Sequence, residues 1–215
     1  MAADAWTPLH EPLFLDIEVG IFCSILKIPS IPRDVSLETI PFTSSNFESM
    51  VPSRREQHAA GRFCLNSLLI KSKIHGASIS ESFPMSIQTN TDNKPISISH
   101  CDAFAVAVLA LNNKMIGIDI ESKCRTISTS ILNQFCTSSE VLELMNAPPT
   151  DRLERWMVKE AVSKATGKGM SIAKEVTIEG GNAYYQKSFF RIIRHEYEGH
   201  NIVIVVDYSD SSSKS

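Results

Sequence analysis

Two carboxylates stand two residues apart in a short β-branched segment, and this arrangement can hold a hard metal ion. Between Ile116 and Glu121 the side chains alternate, so Asp119 and Glu121 share one strand face with Gly117, while isoleucines take the other face. Mg²⁺ prefers such oxygen ligands and completes its shell with water and phosphate oxygens. The glycine would let a bulky ligand approach the backbone. A half-buried strand with a solvated outer face gives the same pattern, so the segment alone leaves both interpretations open.

A second pair of charges lies on the face of a predicted helix that the apolar residues mark as buried. Glu160 and Lys164 fall within roughly 20° of Leu153 on a helical wheel, in the middle of the apolar arc. They are four residues apart and could simply pair with each other. Burying them without further partners would be costly, and a metal ion with phosphates would supply such partners. Lys159, at roughly 240° on the same wheel, is expected to point to solvent or to the edge of a lobe.

Basic residues upstream could bind anions. Arg55 and Arg62 are seven residues apart on one predicted helix and so share a face, and Arg54 precedes them. Guanidinium groups suit bidentate phosphate contacts, although an ordinary solvated helix face explains them equally. Ser99 and His100 end an alternating segment and could contact a phosphate, but a single histidine beside a strand is more often structural.

Taken together, these segments resemble the Sfp-type 4′-phosphopantetheinyl transferases, and their order and spacing are closest to the enterobactin-synthetase component D branch. The family's (I/V)G(I/V)DxE element is matched by residues 116–121, and its WxxKEAxxKxxGxG element by residues 156–169. The upstream RxxHxxGR element resembles residues 55–62, and the SISHC element resembles residues 97–101. The first two elements are specific as a pair, whereas the other two would be weak alone.

The resemblance implies roles for the candidate residues. Asp119, Glu121 and Glu160 would ligate Mg²⁺ together with the pyrophosphate of coenzyme A. Glu160 would also be the general base that takes the proton from a carrier-protein serine, and Lys164 would stabilise or protonate the departing 3′,5′-ADP. The residues that would bind coenzyme A are Arg55, Arg62, Lys94, Ser99, His100, Asp119 and Lys164.

Lys94 is the least well matched of these ligands. Many relatives carry a GKP element well before the serine-histidine element, whereas Asn93-Lys94-Pro95 lies only a few residues ahead of Ser99.

The implied reaction transfers the 4′-phosphopantetheine arm of coenzyme A to a serine of an apo carrier protein of the peptidyl, aryl or acyl type. The branch resemblance fits siderophore or other non-ribosomal peptide or polyketide synthesis, and fatty-acid synthesis stays open. Carrier proteins of this kind are acidic helical bundles. We expect them to dock on an apolar patch around Ile127 to Leu144, flanked by Lys123 and Arg125.

Two other classes of function fit part of the pattern. A Mg²⁺-dependent phosphohydrolase or nucleotidyl transferase would use the same carboxylates. A non-catalytic module could keep the fold and grip a carrier domain, but it would not need the acidic residues together with Lys164 and His100.

The elements that must position these residues form two similar halves in the sequence pattern. Strands are expected over residues 12–26, 96–101, 103–111 and 115–121, and two or three more over residues 175–208. Helices are expected over residues 53–73, 137–145 and 150–166. Pro29 and Pro32 mark the end of the first strand. The predicted helix starts are capping boxes of Ser53 with Glu56 and of Thr137 with Glu140, and a cap at Thr150 or Asp151. Gly167 and Gly169 mark the end of the last helix.

The predicted fold class is therefore α+β, with two lobes that each pack a small antiparallel sheet against a long helix. The family resemblance adds a pseudo-twofold relation between the lobes and an active site in the cleft between them. Residues 1–112 would contact the nucleotide of coenzyme A, and residues 113–215 would carry the metal ligands and catalytic residues. This arrangement favours a monomer.

Composition and charge limit the partners and the cellular location that we expect for this protein. The formal net charge of −3 argues against a general nucleic-acid partner, and no apolar run reaches the length of a membrane span. Residues 1–11 lack the basic start and apolar stretch of a secretory signal. The five cysteines are scattered without a CxxC pair, which predicts free, mostly buried thiols in the cytoplasm and gives no support for a zinc site.

Overall fold

The computed structural model describes residues 11–28, 40–44 and 46–209 of the chain and shows a mixed α+β architecture with two antiparallel sheets. The first sheet contains β1 (Leu13–Glu18), β2 (Ile21–Lys27), β3 (Ser78–Ser80), β4 (Ser86–Gln88), β5 (Asn93–His100) and β6 (Phe104–Ala110). The second contains β7 (Ile116–Ser122), β8 (Thr177–Glu179), β9 (Asn182–Tyr185), β10 (Ser188–Tyr197) and β11 (His200–Asp207). The helices are α1 (Pro52–Lys71), α2 (Thr129–Phe135), α3 (Ser138–Met145) and α4 (Pro149–Thr166).

The strand orders place β7 next to the first half of the chain. The first sheet runs β1-β2-β6-β5-β4-β3 and the second runs β7-β11-β10-β9-β8, so β7 is an edge strand that pairs with β11 alone in its sheet. Helix α1 packs on β2 and β6, and α4 packs on β7 and β11. The α+β prediction of a sheet against a long helix in each half is therefore confirmed.

A shared core joins the two sheets, and it explains the alternation in β7. Ile116, Ile118 and Ile120 lie in this core with side chains from β2, β6 and β11. The alternate side chains, including Asp119 and Glu121, are on the face of β7 that α4 covers. The expected two faces are confirmed, but a solvated outer face is wrong, because Asp119 is only 2% and Glu121 only 7% exposed.

The role expected for Gly117 is also wrong. A Cβ atom built on this residue would overlap the carbonyl oxygen of Ala161 and would lie 3.0 Å from the amide nitrogen of Ala165. The absent side chain therefore makes room for helix α4 and not for a ligand. This close contact sets the distance between the strand that carries Asp119 and the helix that carries Glu160.

Several predicted boundaries change because turns and prolines override the local pattern. The single strand predicted over residues 12–26 is a hairpin, β1 and β2, that turns at Gly20 with φ +79°. Four strands, and not two or three, follow residue 175. Strands β3 and β4 and helix α2 were not predicted; each of these strands has only three residues, too few to show a period.

The starts of the long helices are set by proline. Helix α1 begins at Pro52 after Val51, and no side chain caps it, so the predicted capping box of Ser53 with Glu56 is wrong. Helix α4 likewise begins at Pro149, ahead of the predicted cap at Thr150 or Asp151. Proline suits the first helical turn because its φ is fixed and its missing N–H would have no intrahelical partner there.

Other boundary signals are confirmed. Thr137 and Glu140 form the predicted capping box at the start of α3. Gly167 ends α4 in the left-handed conformation. The breaks predicted at Pro29 and Pro32 lie outside the described residues. None of the helices described is both long enough and apolar enough to cross a membrane. All five cysteines are free; three are buried, while Cys101 is half-buried and Cys124 is exposed.

The contact at Gly117 gives a stability prediction. Replacing Gly117 by alanine should lower the free energy of unfolding by about 3 kcal/mol or more, since the new methyl group meets helix backbone that cannot move alone. Urea denaturation measures the change. Gly61→Ala is the matched control: there the new Cβ would meet only the Cγ2 methyl group of Ile98, at 2.7 Å, so its cost should be much smaller. Equal costs for the two variants would refute this account of Gly117.

Candidate active site

Three carboxylates from two distant parts of the chain converge beside the contact of β7 with α4. Asp119 and Glu121 come from β7 and Glu160 comes from α4, and one oxygen of each lies within 4.8 Å of those of the other two. Two of the side chains are buried, whereas that of Glu160 remains 26% exposed. Glu160 is therefore the carboxylate of the three that a molecule entering from solvent reaches most easily.

Lys164 compensates much of this negative charge. Its ammonium group lies 3.0 Å from Asp119 Oδ1 and 3.2 Å from Glu160 Oε1. It also donates to the carbonyl oxygen of Ile118 at 3.1 Å and to Ser99 Oγ at 2.8 Å. The Ser99 hydroxyl in turn donates to Asp119 Oδ1 at 2.8 Å. Residues of β5, β7 and α4 are thus joined in one polar network.

The ionisation of this network follows from burial and from charge. Burial raises the pKa of Asp119, and the nearby charge of Glu160 adds to this, while Lys164 and Ser99 oppose it. Burial by itself would lower the pKa of Lys164, but the carboxylates of Asp119 and Glu160 outweigh it and raise the pKa overall. Lys164 therefore stays an ammonium ion at neutral pH.

The cluster fits a divalent metal ion with oxygen ligands. Asp119 Oδ2 is buried and has no hydrogen-bond partner, so one carboxylate oxygen is left unsatisfied beside two further carboxylates. Three carboxylates carry more negative charge than Lys164 can neutralise. A hard cation such as Mg²⁺ would satisfy the unpaired oxygen and balance the charge.

Arg125 closes the other side of the cluster. Its guanidinium group forms an ion pair with Glu121 and lies over the ring of Trp156, 5.4 Å from the ring centroid. Trp156 packs edge-on against Phe135 of α2. The arginine therefore holds Glu121 in place and links the cluster to the segment that follows β7.

A group of arginine and histidine side chains lies next to the carboxylates, with one difference from the sequence prediction. Arg54 Nη1 donates to His100 Nε2 at 3.1 Å. The guanidinium group of Arg55, which was also predicted to bind the nucleotide, lies over the ring of Phe47, 5.4 Å from its centroid. The four-residue spacing of Arg54, His58 and Arg62 was a signal in the sequence for the correct stripe, because residues i, i+4 and i+8 follow one helix face.

Arg62 is deeply buried in this group. It is 6% exposed and forms an ion pair with Glu81. Its Nε donates to His58 Nε2 at 3.4 Å, and its Nη1 has no hydrogen-bond partner. The unused Nη1 donor of this buried guanidinium is a hydrogen-bonding group that an anion would satisfy.

Three neighbouring cavities share Arg54 and His100 in their walls. One of about 370 Å³ also contains His58 and Arg62, and one of about 360 Å³ contains Glu160 and Lys164. The third, of about 560 Å³, contains Glu121 and Arg125. The cavity that contains His58 and Arg62, called the arginine pocket below, and the carboxylate cluster thus border one continuous region of the surface. This region can hold an extended ligand with several phosphates.

The two histidines of this region are neutral at physiological pH. Burial lowers the pKa of His58 to about 4, helped by the charge of Arg62. Burial also lowers the pKa of His100 to about 4, helped by Arg54 and Lys164. As neutral rings they can accept hydrogen bonds from the arginines, and the arginines and Lys164 supply the positive charge.

Lys94 lies apart from the other predicted ligands. Its ammonium group pairs with Asp92 at 2.6 Å and donates to the carbonyl oxygen of Leu111 at 2.9 Å. It stands near the start of β5, about 20 Å along the strand from His100. The structure does not bring it to the carboxylate cluster.

Lys159, predicted to point to solvent or to the edge of a lobe, is fully buried, so the prediction of an exposed side chain is wrong. Its ammonium group donates to the carbonyl oxygens of Phe135 at 3.3 Å and Ala173 at 2.8 Å, and it pairs with Glu140 at 2.9 Å. The helical wheel placed Lys159 on the correct side of α4, but α2, α3 and the turn after α4 cover that side of the helix. Lys159 therefore ties these elements to the helix that carries Glu160.

Comparisons with known proteins find similarity over part of this chain. Residues 115–200 match the model of the 4′-phosphopantetheinyl transferase superfamily. A 4′-phosphopantetheinyl transferase of Aneurinibacillus migulanus, gsp, is 29% identical over 162 residues, which are 66% of this chain and 65% of that protein. The chain thus matches just under two thirds of the length of that relative. Both similarities support the family, and neither distinguishes the enterobactin-synthetase branch.

The buried contacts of Lys159 give a testable prediction. Lys159→Met should lower the free energy of unfolding by about 3–5 kcal/mol, because Glu140 and two carbonyl groups lose their shared donor. Urea denaturation measures this change. Arg194→Met is the control, since its pair with Glu154 is about half exposed and should contribute less than about 1 kcal/mol. A Lys159→Met protein as stable as the control would show that the buried contacts are not needed.

Proposed function

We propose that the protein transfers the 4′-phosphopantetheine arm of coenzyme A to a serine of an apo carrier protein, in a reaction that requires Mg²⁺. One observation carries the proposal: Asp119, Glu121 and Glu160 converge beside Lys164, next to cavities lined by arginine. Phosphoryl transfer needs mainly positioning and neutralisation of phosphate charge, and these are the groups that provide both. The superfamily match and the Aneurinibacillus relative support the same reaction.

The two halves of the chain would divide the substrate between them. Within residues 1–112, Arg54, Arg62 and His100 would hold the phosphates of the nucleotide, with Ser99 beside them. Arg54 takes the place that the sequence pattern gave to Arg55, because Arg54 is the arginine beside His100. Residues 113–215 would hold the pyrophosphate and carry the catalytic groups, and Lys94 would have no direct role at the carboxylate cluster.

The metal would be held by Asp119, Glu121 and Glu160. A bound Mg²⁺ would neutralise charge on the pyrophosphate of coenzyme A. The unpaired Oδ2 of Asp119 and the partly exposed side chain of Glu160 support this ligand set.

Glu160 would act as general base toward the carrier serine. As the most exposed of the three carboxylates, it can meet a serine that enters from solvent. The serine Oγ gives its proton to Glu160 and forms a bond to the phosphorus that carries the pantetheine arm. The bond from that phosphorus to the bridging oxygen breaks, and 3′,5′-ADP leaves. A carboxylate is only a modest base, so the effect of Glu160 must come from its placement.

Lys164 would stabilise the leaving group. Its ammonium group already lies between the carboxylates and Ser99 of the first half. From this position it can donate a hydrogen bond or a proton to the oxygen that departs with 3′,5′-ADP.

The carrier protein would dock on α3, within the segment predicted for this role. Leu142 is 68% and Met145 is 51% exposed, so this short helix presents two large apolar side chains to solvent. Arg125, expected to flank the docking patch, is instead paired with Glu121. A change at Arg125 would therefore disturb the active site as well, and α3 gives the cleaner test. The branch resemblance supports carriers of siderophore or other non-ribosomal peptide synthesis.

The transfer reaction is tested by measuring the mass that a carrier domain gains. Protein, coenzyme A, Mg²⁺ and a panel of apo carrier domains are mixed, and each carrier is weighed by intact-mass spectrometry. Wild-type protein should add one phosphopantetheine to at least one carrier, and Glu160→Gln should reduce the rate by at least about 100-fold without loss of the fold. Circular dichroism provides the control for folding. Release of 3′,5′-ADP with no carrier present would favour a phosphohydrolase, and coenzyme A left intact by every mixture would contradict the proposal.

The proposed docking face, Leu142 and Met145 on α3, is tested separately by kinetics. Leu142→Glu should raise the KM for the carrier by about tenfold, because it places a charge on an apolar contact that meets an acidic partner. The KM for coenzyme A should stay unchanged. Ile70→Glu, at a residue with 64% exposure on α1, is the matched control and should leave both constants unchanged. An unaltered carrier KM in Leu142→Glu would place the docking face elsewhere.

A further inference from the structure

Phe83 is a large aromatic side chain that the fold leaves in solvent at the edge of the arginine pocket. It lies in the loop between β3 and β4 and is 67% exposed. It lines the cavity that contains Arg62 and also the cavity that contains Lys164, and Met85 accompanies it in both. Neither the carboxylate chemistry nor the phosphate contacts make use of this apolar wall.

The loop that carries Phe83 is held in place from both halves of the chain. Before Phe83, Glu81 forms an ion pair with Arg62 of α1. After it, Pro84 lies directly against Gly167, where any Cβ atom would overlap the loop backbone. The carbonyl oxygen of Met85 accepts from the amide of Ile96 at 3.1 Å. Three contacts within five residues fix the backbone that carries Phe83, so the fold determines where the exposed ring starts.

The surroundings of the ring indicate what it can bind. Single exposed apolar residues are common on protein surfaces and need no explanation. Here, however, a fixed ring and a thioether form one wall of cavities whose other walls carry Arg54, His100 and Lys164. A ligand that suits both walls has anionic groups and a flat apolar group within one molecule. A nucleotide has this chemistry, since its phosphates suit the cations and every base has a π-face that stacks on an aromatic ring.

We propose that Phe83, with Met85 beside it, is the platform on which the adenine base of coenzyme A stacks. The proposal rests on the proposed function, because it assumes that the nucleotide of coenzyme A occupies these cavities. It assigns the recognition of the base to a residue that takes no part in phosphate binding. Phe83 thus makes the site selective for a nucleotide over a phosphate that lacks a base.

The test measures binding of 3′,5′-ADP, which carries the base and the phosphates without the pantetheine arm. By isothermal titration calorimetry, Phe83→Ala should weaken 3′,5′-ADP binding by about tenfold, and Phe83→Trp should bind as well as wild type or better. Binding of inorganic pyrophosphate, which has no base, should be the same in all three proteins. Ile70→Ala, with 64% exposure on α1, is the matched control and should bind both probes normally. Because Phe83 is largely exposed, its variants should unfold at the same temperature as wild type.

Three outcomes would overturn the proposal. Equal 3′,5′-ADP affinity in Phe83→Ala and wild type would refute the platform, and it would leave the transferase activity untouched. Equal loss of 3′,5′-ADP and pyrophosphate binding in Phe83→Ala would show a disturbed pocket and not a stacking contact. If the wild-type protein bound neither 3′,5′-ADP nor coenzyme A, the proposed function would fail and the platform with it.

Discussion

The ammonium group of Lys164 is the point at which the two halves of this protein are joined chemically. It contacts Ser99 of the first sheet, Asp119 of the second sheet and Glu160 of its own helix. A buried charge is tolerated only when its partners are fixed around it. The three elements must therefore keep one relative position, and that position creates the acidic cluster and the cavities beside it. The site is thus a property of the contact between the two halves.

Close packing fixes the positions of the elements that carry this charge network. Gly117 lets α4 approach β7 to a distance that no other residue would allow. At the far side of the helix, the buried Lys159 holds α2, α3 and the following turn onto α4 through two carbonyl oxygens and the partly buried Glu140. Helix α4 is therefore fixed on two sides, by van der Waals contact on one and by an ion pair on the other. Glu160 and Lys164 project from a helix that has little freedom to rotate.

Local periodicity was sufficient to predict much of the candidate site. The alternation in β7 placed Asp119 and Glu121 on one face, and the helical period placed Glu160 and Lys164 together on the inward face of α4. Both are properties of a single element, and a sequence shows them directly. Gly117 and Lys159 were misinterpreted because their roles depend on other elements, which pack against that strand and that helix from elsewhere in the chain.

The nucleotide side of the site shows the same limit. Arg55 was preferred to Arg54 because it matches the RxxHxxGR element and lies seven residues before Arg62, although Arg54, His58 and Arg62 together line one of the cavities. Phe83 gave no signal, since it lies in a short loop without periodicity. Its significance appears only when Arg62 and Gly167 are seen to hold that loop at the edge of the pocket.

The order of strands in the second sheet also determines when this site can form during synthesis. Strand β7, which carries Asp119 and Glu121, has β11 as its sole neighbour in that sheet, and β11 is the last strand of the described chain. A ribosome-bound chain must therefore release residues 200–207 before the acidic strand is paired. Until then the β-branched edge of β7 is open to wrong partners, so the nascent protein is exposed to aggregation until β11 emerges.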